Sequence, residues 1–304
     1  MGLHPQVQGL LSEMASSGAP AIATMSVADA RALGEGMVAM GGELVPVDEV
    51  RDVRLPHFDV RVYRPEGAGP HPIVMFFHGG GWVIGSIASH DNVARTLCRD
   101  AAAVVVSVEY RMGPEFRFPT APNDCYEATR WVADNADFIG GDAGRMAVCG
   151  DSAGGNLSAI VTQMARDAGG PALAFAALIY PATDMTDETG SMQENATGYF
   201  LERPDMDWFM GQYIDDADRK NPLASPALHS NLAELPPCFI TTCEFDPLRD
   251  QGEAYGAALR AAGGAAEVKR YDGLIHGVVS MAGLLDGGRE MLADVGTRLR
   301  AALH

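Results

Sequence analysis

The five residues Gly150-Asp151-Ser152-Ala153-Gly154 constrain the fold of this chain more than any others. The apolar run 146–149 ahead of them is short enough for a buried strand. Behind them Leu157, Ile160, Val161, Met164 and Ala165 recur at the spacing of one helix face. A serine on a sharp turn between strand and helix takes strained backbone angles, and small neighbours two residues to either side leave it room. Its hydroxyl then stands above the sheet edge, near the positive end of the following helix. In a chain with 35 glycines the pattern G-x-S-x-G also arises by chance. The flanking strand and helix are what make Ser152 a displayed nucleophile, and the case rests on its partners: a base, an acid that orients the base, and donors for an oxyanion.

In folds that display a serine this way, the partners follow in the order serine, acid, histidine. Of eight histidines, only His276 and His304 lie in the downstream region where such a base belongs. His304 is the last residue, where fraying is expected. His276 lies in the glycine-bearing loop 272–277 after the strand-like run 266–271, so a tight path can bring its imidazole over a neighbouring strand end. The acid should leave a strand end shortly before it. Run 238–245 is apolar and β-branched, Asp246 follows directly, and Pro247 opens a helix with the apolar stripe Leu248, Tyr255, Leu259 and Ala262. Asp246 reads as the orienting acid and, compatibly, as a helix N-cap. Asp250, one helical turn on, and Asp184, which ends the earlier strand, are its rivals.

His78-Gly79-Gly80-Gly81-Trp82 follows the apolar run 73–77. Three successive glycines after a buried strand are costly in conformational entropy, which points to backbone pressed close to a ligand. The N–H groups of Gly80 and Gly81, with that of Ala153, would aim at a developing oxyanion, where one donor is worth about 10²–10³ in rate. His78 is expected to brace this loop by hydrogen bonds rather than to do chemistry.

With Tyr110-Arg111-Met112-Gly113-Pro114-Glu115, Phe118-Pro119, Asp124-Cys125-Tyr126 and Asp246-Pro247-Leu248-Arg249-Asp250, these motifs resemble the α/β-hydrolases of the hormone-sensitive lipase family, the bacterial family IV carboxylesterases. The resemblance runs in the right order over roughly residues 45–280. It implies a cofactor-free and metal-free serine carboxylesterase acting on short- to medium-chain esters. Ser152 would be the nucleophile, His276 the base, Asp246 the acid, and Gly80, Gly81 and Ala153 the oxyanion donors. Asp151 before the serine is similar to the larger subgroup of the family. Met112-Gly113, where leucine-alanine is usual, is expected to affect packing only. Other readings keep the same machinery: hydrolysis of amides, carbamates or lactones, or lipase action on emulsified triglycerides. A further one is non-catalytic ligand binding, as in the plant hormone receptors of this family, which lack a competent histidine.

Strand and helix patterns alternate from about residue 53 onward, in runs 53–63, 73–77, 104–110, 146–149, 174–179, 238–245 and 266–271. This predicts an α/β fold with a mostly parallel sheet covered by helices on both faces. Two segments break the alternation. Residues 1–45 carry helical spacing without a strand, and residues 185–225 hold aromatic and methionine side chains among many acids. They are similar to the two parts of the family's helical cap, over a catalytic core of 46–184 and 226–304. Phe200, Trp208, Phe209 and Tyr213 are the candidates for lining an acyl or alcohol channel.

The formal charge of −18 argues against nucleic acid, whose phosphates demand clustered Lys and Arg. No basic run suggests a membrane-surface anchor, and no apolar run approaches a membrane span. Five cysteines without C-x-x-C spacing read as reduced, buried thiols of a cytoplasmic protein, with neither disulfide frame nor zinc site. Relatives often pair through a core edge strand, so a homodimer is compatible with the resemblance.

Overall fold

The computed structural model describes residues 2–188 and 190–304; Met1 and Thr189 lie outside the described residues. Its strands are β1 (Glu49–Arg54), β2 (Asp59–Arg64), β3 (His71–Phe77), β4 (Val104–Val108), β5 (Gly141–Asp151), β6 (Phe175–Ile179), β7 (Cys238–Phe245) and β8 (Ala266–Ile275). They form one sheet in the order β1-β2-β4-β3-β5-β6-β7-β8. β2 runs antiparallel to β1 and β4, and all other neighbours are parallel. The expected α/β sheet is present, and the chain is an α/β-hydrolase in architecture.

The helices are α1 (Pro5–Ser17), α2 (Val27–Gly36), α3 (Asp91–Ala101), α4 (Thr120–Asp134), α5 (Ala153–Ala168), α6 (Ser191–Glu194), α7 (Arg203–Tyr213), α8 (Arg249–Ala261) and α9 (Asp286–Leu303). Alternation along each strand divides the core. Ile73, Met75 and Phe77 of β3 pack on the face covered by α4, α5 and α8, while Val74 and Phe76 pack on the face covered by α3 and α9. All of β3 and β4 is buried, as strands covered on both faces must be.

Three strand expectations need correction. Residues 272–275, expected in a loop with His276, continue β8 to Ile275, so His276 directly follows a strand end. Run 53–63 is the end of β1, a turn, and most of β2. Pro56 has no N–H for a ladder, so the chain turns there, closed by Leu55 N donating to Phe58 O at 2.9 Å. β5 begins at Gly141 rather than at residue 146, because Asp142, Gly144 and Arg145 carry no apolar signal.

The two helical segments outside the alternation are joined to each other and to the core. Ala23 N, ahead of α2, donates to the buried Asp205 carboxylate of α7 at 2.9 Å. Arg31 of α2 donates to Val83 O and Gly113 O, each at 2.9 Å, and grips Glu115 with both Nη atoms. Gly113 lets the α7 backbone approach closely, since a Cβ there would sit 2.8 Å from Gln212 O. This gives the Met112-Gly113 departure a packing role. All five cysteines are buried and unpaired. Among the described residues, no helix is long and apolar enough to cross a membrane, and no group of three His, Cys, Asp or Glu could hold a metal.

Candidate active site

The candidate residues gather at the carboxyl ends of the parallel strands, where open α/β sheets place their ligands. β5 ends at Asp151 and α5 starts at Ala153, so Ser152 alone makes the turn, at φ 56° and ψ −116°. Such angles in a residue with a Cβ cost on the order of 1–3 kcal/mol and persist only where the surroundings enforce them. Here Ser152 N donates to Ile179 O at 2.8 Å and its carbonyl accepts Asn156 N at 3.0 Å. Asn156 Nδ2 in turn donates to Ala182 O and Ala224 O, each at 2.8 Å. Gly154 presses on the end of β3, where a Cβ would collide with the Phe77 carbonyl. Steric exclusion therefore explains the glycine on the helical side of the serine.

His276 Nε2 lies 2.8 Å from Ser152 Oγ, and His276 Nδ1 lies 2.7 Å from Asp246 Oδ2. With Nδ1–H donating to the carboxylate, the Nε2 lone pair faces the serine hydroxyl. Asp246 is fully buried, and its Oδ1 accepts Leu248 N at 2.8 Å. One oxygen faces His276 and the other takes the amide of Leu248; Asp246 is not the N-cap of α8, a position held by Leu248 with no side-chain cap bond, because the helix starts beyond Pro247. α8 starts two residues after Pro247, at Arg249. α6 and the residue after it brace the same loop: Ser191 Oγ donates to Pro247 O at 2.7 Å and Asn195 Nδ2 to Asp246 O at 3.2 Å. The Tyr180 ring packs on His276 with centroids 4.5 Å apart. The rival residues are committed elsewhere. Asp184 accepts from Thr186, Asp250 from Ser191 N and Arg249, and His304 faces Ala101 O.

The glycine loop turns tightly after β3. Val83 N and Ile84 N both donate to Gly80 O, at 3.1 and 2.9 Å, and Gly80 has a φ of +116° that only glycine adopts readily. These turn bonds use the Gly80 carbonyl and leave the N–H groups of Gly80 and Gly81 out of the turn. Ala153 opens α5, where the first amides have no partner within the helix. His78 is buried and stacked on Tyr110 with centroids 4.4 Å apart. Its Nδ1 lies 2.8 Å from Gly79 O, and its carbonyl accepts Tyr110 OH at 2.8 Å. Burial, with the nearby His90 ring, pushes the His78 imidazole down to about 3, so it is neutral and braces the loop.

The four aromatic candidates divide. The Phe209 ring lies against Gly81, the half-buried Trp208 meets Phe209 edge-on at 5.2 Å, and the half-buried Phe200 lies against Gly277 beside His276. Tyr213 has no exposed surface; it stacks on Trp82 at 4.9 Å and meets Phe118 edge-on. It lines no accessible space, contrary to expectation, because α7 turns it inward to support Trp82.

Residues 74–280 match the family described as the alpha/beta hydrolase fold. The chain belongs to the α/β-hydrolase family. It is similar to the carboxylic ester hydrolase LipN of Mycobacterium tuberculosis, at 41% identity over 99% of this chain and 83% of the relative. It is also similar to the carboxylesterase NlhH of the same species, at 42% identity over 81% of this chain and 78% of the relative. Among solved structures, the hyperthermophilic esterase of the archaeon Pyrobaculum calidifontis superposes with a TM-score of 0.95, at 40% identity and 99% coverage of both chains.

In this hydrolase the acid before the nucleophile also has partners that the sequence did not single out. Asp151 Oδ1 accepts Gly79 N at 2.9 Å, and His90 Nε2 lies 3.5 Å from Asp151 Oδ2. His90 was one of eight histidines without a flanking motif. The available signal was its place at a helix N-cap, a position that favours Ser, Asp or Asn.

Proposed function

We propose that this carboxylesterase cleaves short- to medium-chain carboxylic esters, with Ser152, His276 and Asp246 as its catalytic triad. The line of hydrogen bonds from Asp246 Oδ2 through His276 to Ser152 Oγ, at 2.7 and 2.8 Å, carries this reading. Ser152 Oγ attacks the ester carbonyl carbon as His276 Nε2 takes the hydroxyl proton. The carbonyl oxygen becomes an oxyanion facing the N–H groups of Gly80, Gly81 and Ala153. Collapse of this intermediate breaks the ester C–O bond, and the proton on Nε2 passes to the departing alcohol. Water, deprotonated by the same nitrogen, then attacks the acyl-serine and releases the acid. Asp246 holds the ring in the required tautomer and stabilises the imidazolium.

Residues 1–45 and 185–225 act as a two-part helical cap on the core formed by 46–184 and 226–304. The Ala23–Asp205 bond and the Arg31 clamp support that division. Phe200, Trp208 and Phe209 wall the substrate's approach, since two of them touch the oxyanion and base loops directly. Aromatic rings this close to the reacting atoms favour small apolar groups over long chains. Five unpaired thiols fit a reducing, cytoplasmic setting. β1 and β8 are the two sheet edges available for pairing two copies.

The test is hydrolysis of nitrophenyl esters from acetate to dodecanoate, alongside anilides and emulsified triglyceride, by the unaltered protein and Ser152→Ala. Soluble short esters should be preferred, and the variant should lose on the order of 10⁴–10⁶ in kcat. Turnover retained by Ser152→Ala would overturn the assignment.

A further inference from the structure

Behind the oxyanion loop lies a second histidine–carboxylate pair that the ester-cleaving steps do not use. His90 is buried at the N-terminus of α3, with Nε2 3.5 Å from Asp151 Oδ2 and 3.4 Å from Ser280 Oγ. Its Nδ1 lies 2.9 Å from Ser89 Oγ, and that hydroxyl donates its own proton to Ser86 O at 3.0 Å. A hydroxyl so committed can only accept from the ring, so Nδ1 carries a proton. Nε2 faces the Asp151 carboxylate at 3.5 Å, and a proton there as well makes the ring an imidazolium, the state on which the inference rests.

The pair touches all three catalytic loops. Asp151 is the residue before the nucleophile, and its other oxygen accepts Gly79 N of the oxyanion loop at 2.9 Å. Ser280 lies four residues beyond His276, in the short 3-10 turn Val278–Met281. Gly79 packs so closely on Asp151 that a Cβ at this position would run into the carboxylate, so only glycine fits there. We infer that the His90–Asp151 ion pair is the positioning device that holds the oxyanion loop, the nucleophile turn and the base loop in register. Its effect on rate rests on the proposed ester-cleaving reading; its protonation state does not.

The surrounding charges favour the ionised pair. Burial lowers the His90 basicity, but the Asp151 charge and hydrogen bond, the Ser86 backbone and Glu109 outweigh it and leave the imidazole above its ordinary value. Burial raises the Asp151 carboxyl, yet His90, His78 and the Gly79 N–H hold it below its ordinary value. The titratable groups facing His90 are Asp151 on β5, His78 after β3, with rings 5.4 Å apart, and Glu109 after β4, which accepts Ile87 N. His78 is neutral and adds no second cation. On the helix that His90 opens, Asp91 is engaged by Arg61, Tyr63 and Arg95. Because the folded imidazole is raised, the contribution of the pair is complete below about pH 6.5 and is lost as pH rises through the folded value.

Two measurements test the inference: ring-nitrogen and amide NMR on the unaltered protein, and steady-state kinetics of His90→Gln on nitrophenyl butanoate from neutral to alkaline pH. Both His90 nitrogens should be protonated at neutral pH, and the Gly79 amide signal should move with the same midpoint as the His90 ring. His90→Gln should lower kcat about tenfold, less than deletion of an oxyanion donor, with KM within about twofold. The parent's rate should decline at alkaline pH, and the variant's profile should lack that decline. A neutral His90 at neutral pH, a Gly79 amide indifferent to its titration, or an unchanged alkaline limb in the variant would each overturn the inference. If His90→Gln fails to fold, the NMR titration of the unaltered protein decides alone. If the parent cleaves no ester while Gly79 follows His90, the catalytic reading fails and the positioning device stands.

Discussion

The loops at the ends of β3, β5, β7 and β8 are held differently from the helical segments 1–45 and 185–225. In the strand-end loops the constraints are steric and buried. A Phe77 carbonyl forbids a Cβ at residue 154, Asp246 spends one oxygen on Leu248 N and the other on His276, and Gly80 O takes two amides. The helical segments bury side chains such as Val7, Met210 and Tyr213 in the core, and add side chains that reach across solvent-facing gaps. Examples are Arg31 to Glu115, Arg203 to Glu188 and Arg117 to Asp215, where the acidic partner is at least half exposed in every case. Exposed ion pairs are worth little, typically ~0–1 kcal/mol, and are readily exchanged. The strand-end loops are thus fixed by buried contacts alone, whereas the helical segments add exposed pairs that can be exchanged. One scaffold can keep a single chemistry while its substrate range changes.

One variant in each region should separate the two. Asp246→Asn retains the shape of the side chain but no longer stabilises the imidazolium, and kcat should fall by roughly 10⁴ with the acyl-chain preference unchanged. Phe209→Ala opens the space against Gly81, and the rate on octanoate relative to butanoate should rise about tenfold, while kcat on butanoate changes far less. An Asp246→Asn enzyme with altered chain preference, or a Phe209→Ala enzyme with none, would break the division between the two regions.

A smaller effect separates the buried loops by pH. His78 is held down to about 3 by burial and by His90, whereas an unfolded histidine titrates near 6.5. The unfolded chain therefore binds more protons below pH 6.5, and the fold should lose roughly 1–2 kcal/mol between pH 6.5 and 5. Asp151 does not contribute in this window, because its carboxyl is held below its ordinary value. Denaturant titrations at the two pH values should show this slope, and His78→Asn should flatten it. An unchanged slope in the variant would assign the acid sensitivity to other groups.

The sequence disclosed the strand-end chemistry because that chemistry imposes residue types at fixed places. Ser152 needs a strand before it and a helix after it, and Asp246 and His276 each leave a strand end directly. Those constraints are local, so Ser152, Asp246 and His276 could be read without coordinates. His90 could not, because its partner Asp151 is 61 residues away and nothing local distinguishes it from the other histidines. Tyr213 was misread for the opposite reason. Its aromatic neighbours suggested a channel, but the face of α7 that turns inward depends on Trp82 and Phe118, which are distant in the chain. The β1–β2 hairpin was hidden because both arms alternate alike and only Pro56 marks the turn.

The central claim is that Ser152, activated by His276, is the residue that becomes acylated. Labelling with a fluorophosphonate, followed by peptide mass spectrometry, reads this directly. One adduct per chain is predicted, on the peptide bearing Ser152, with ester hydrolysis lost in step with labelling. A fully labelled protein that still turns over ester, or an adduct on any other residue, would contradict it.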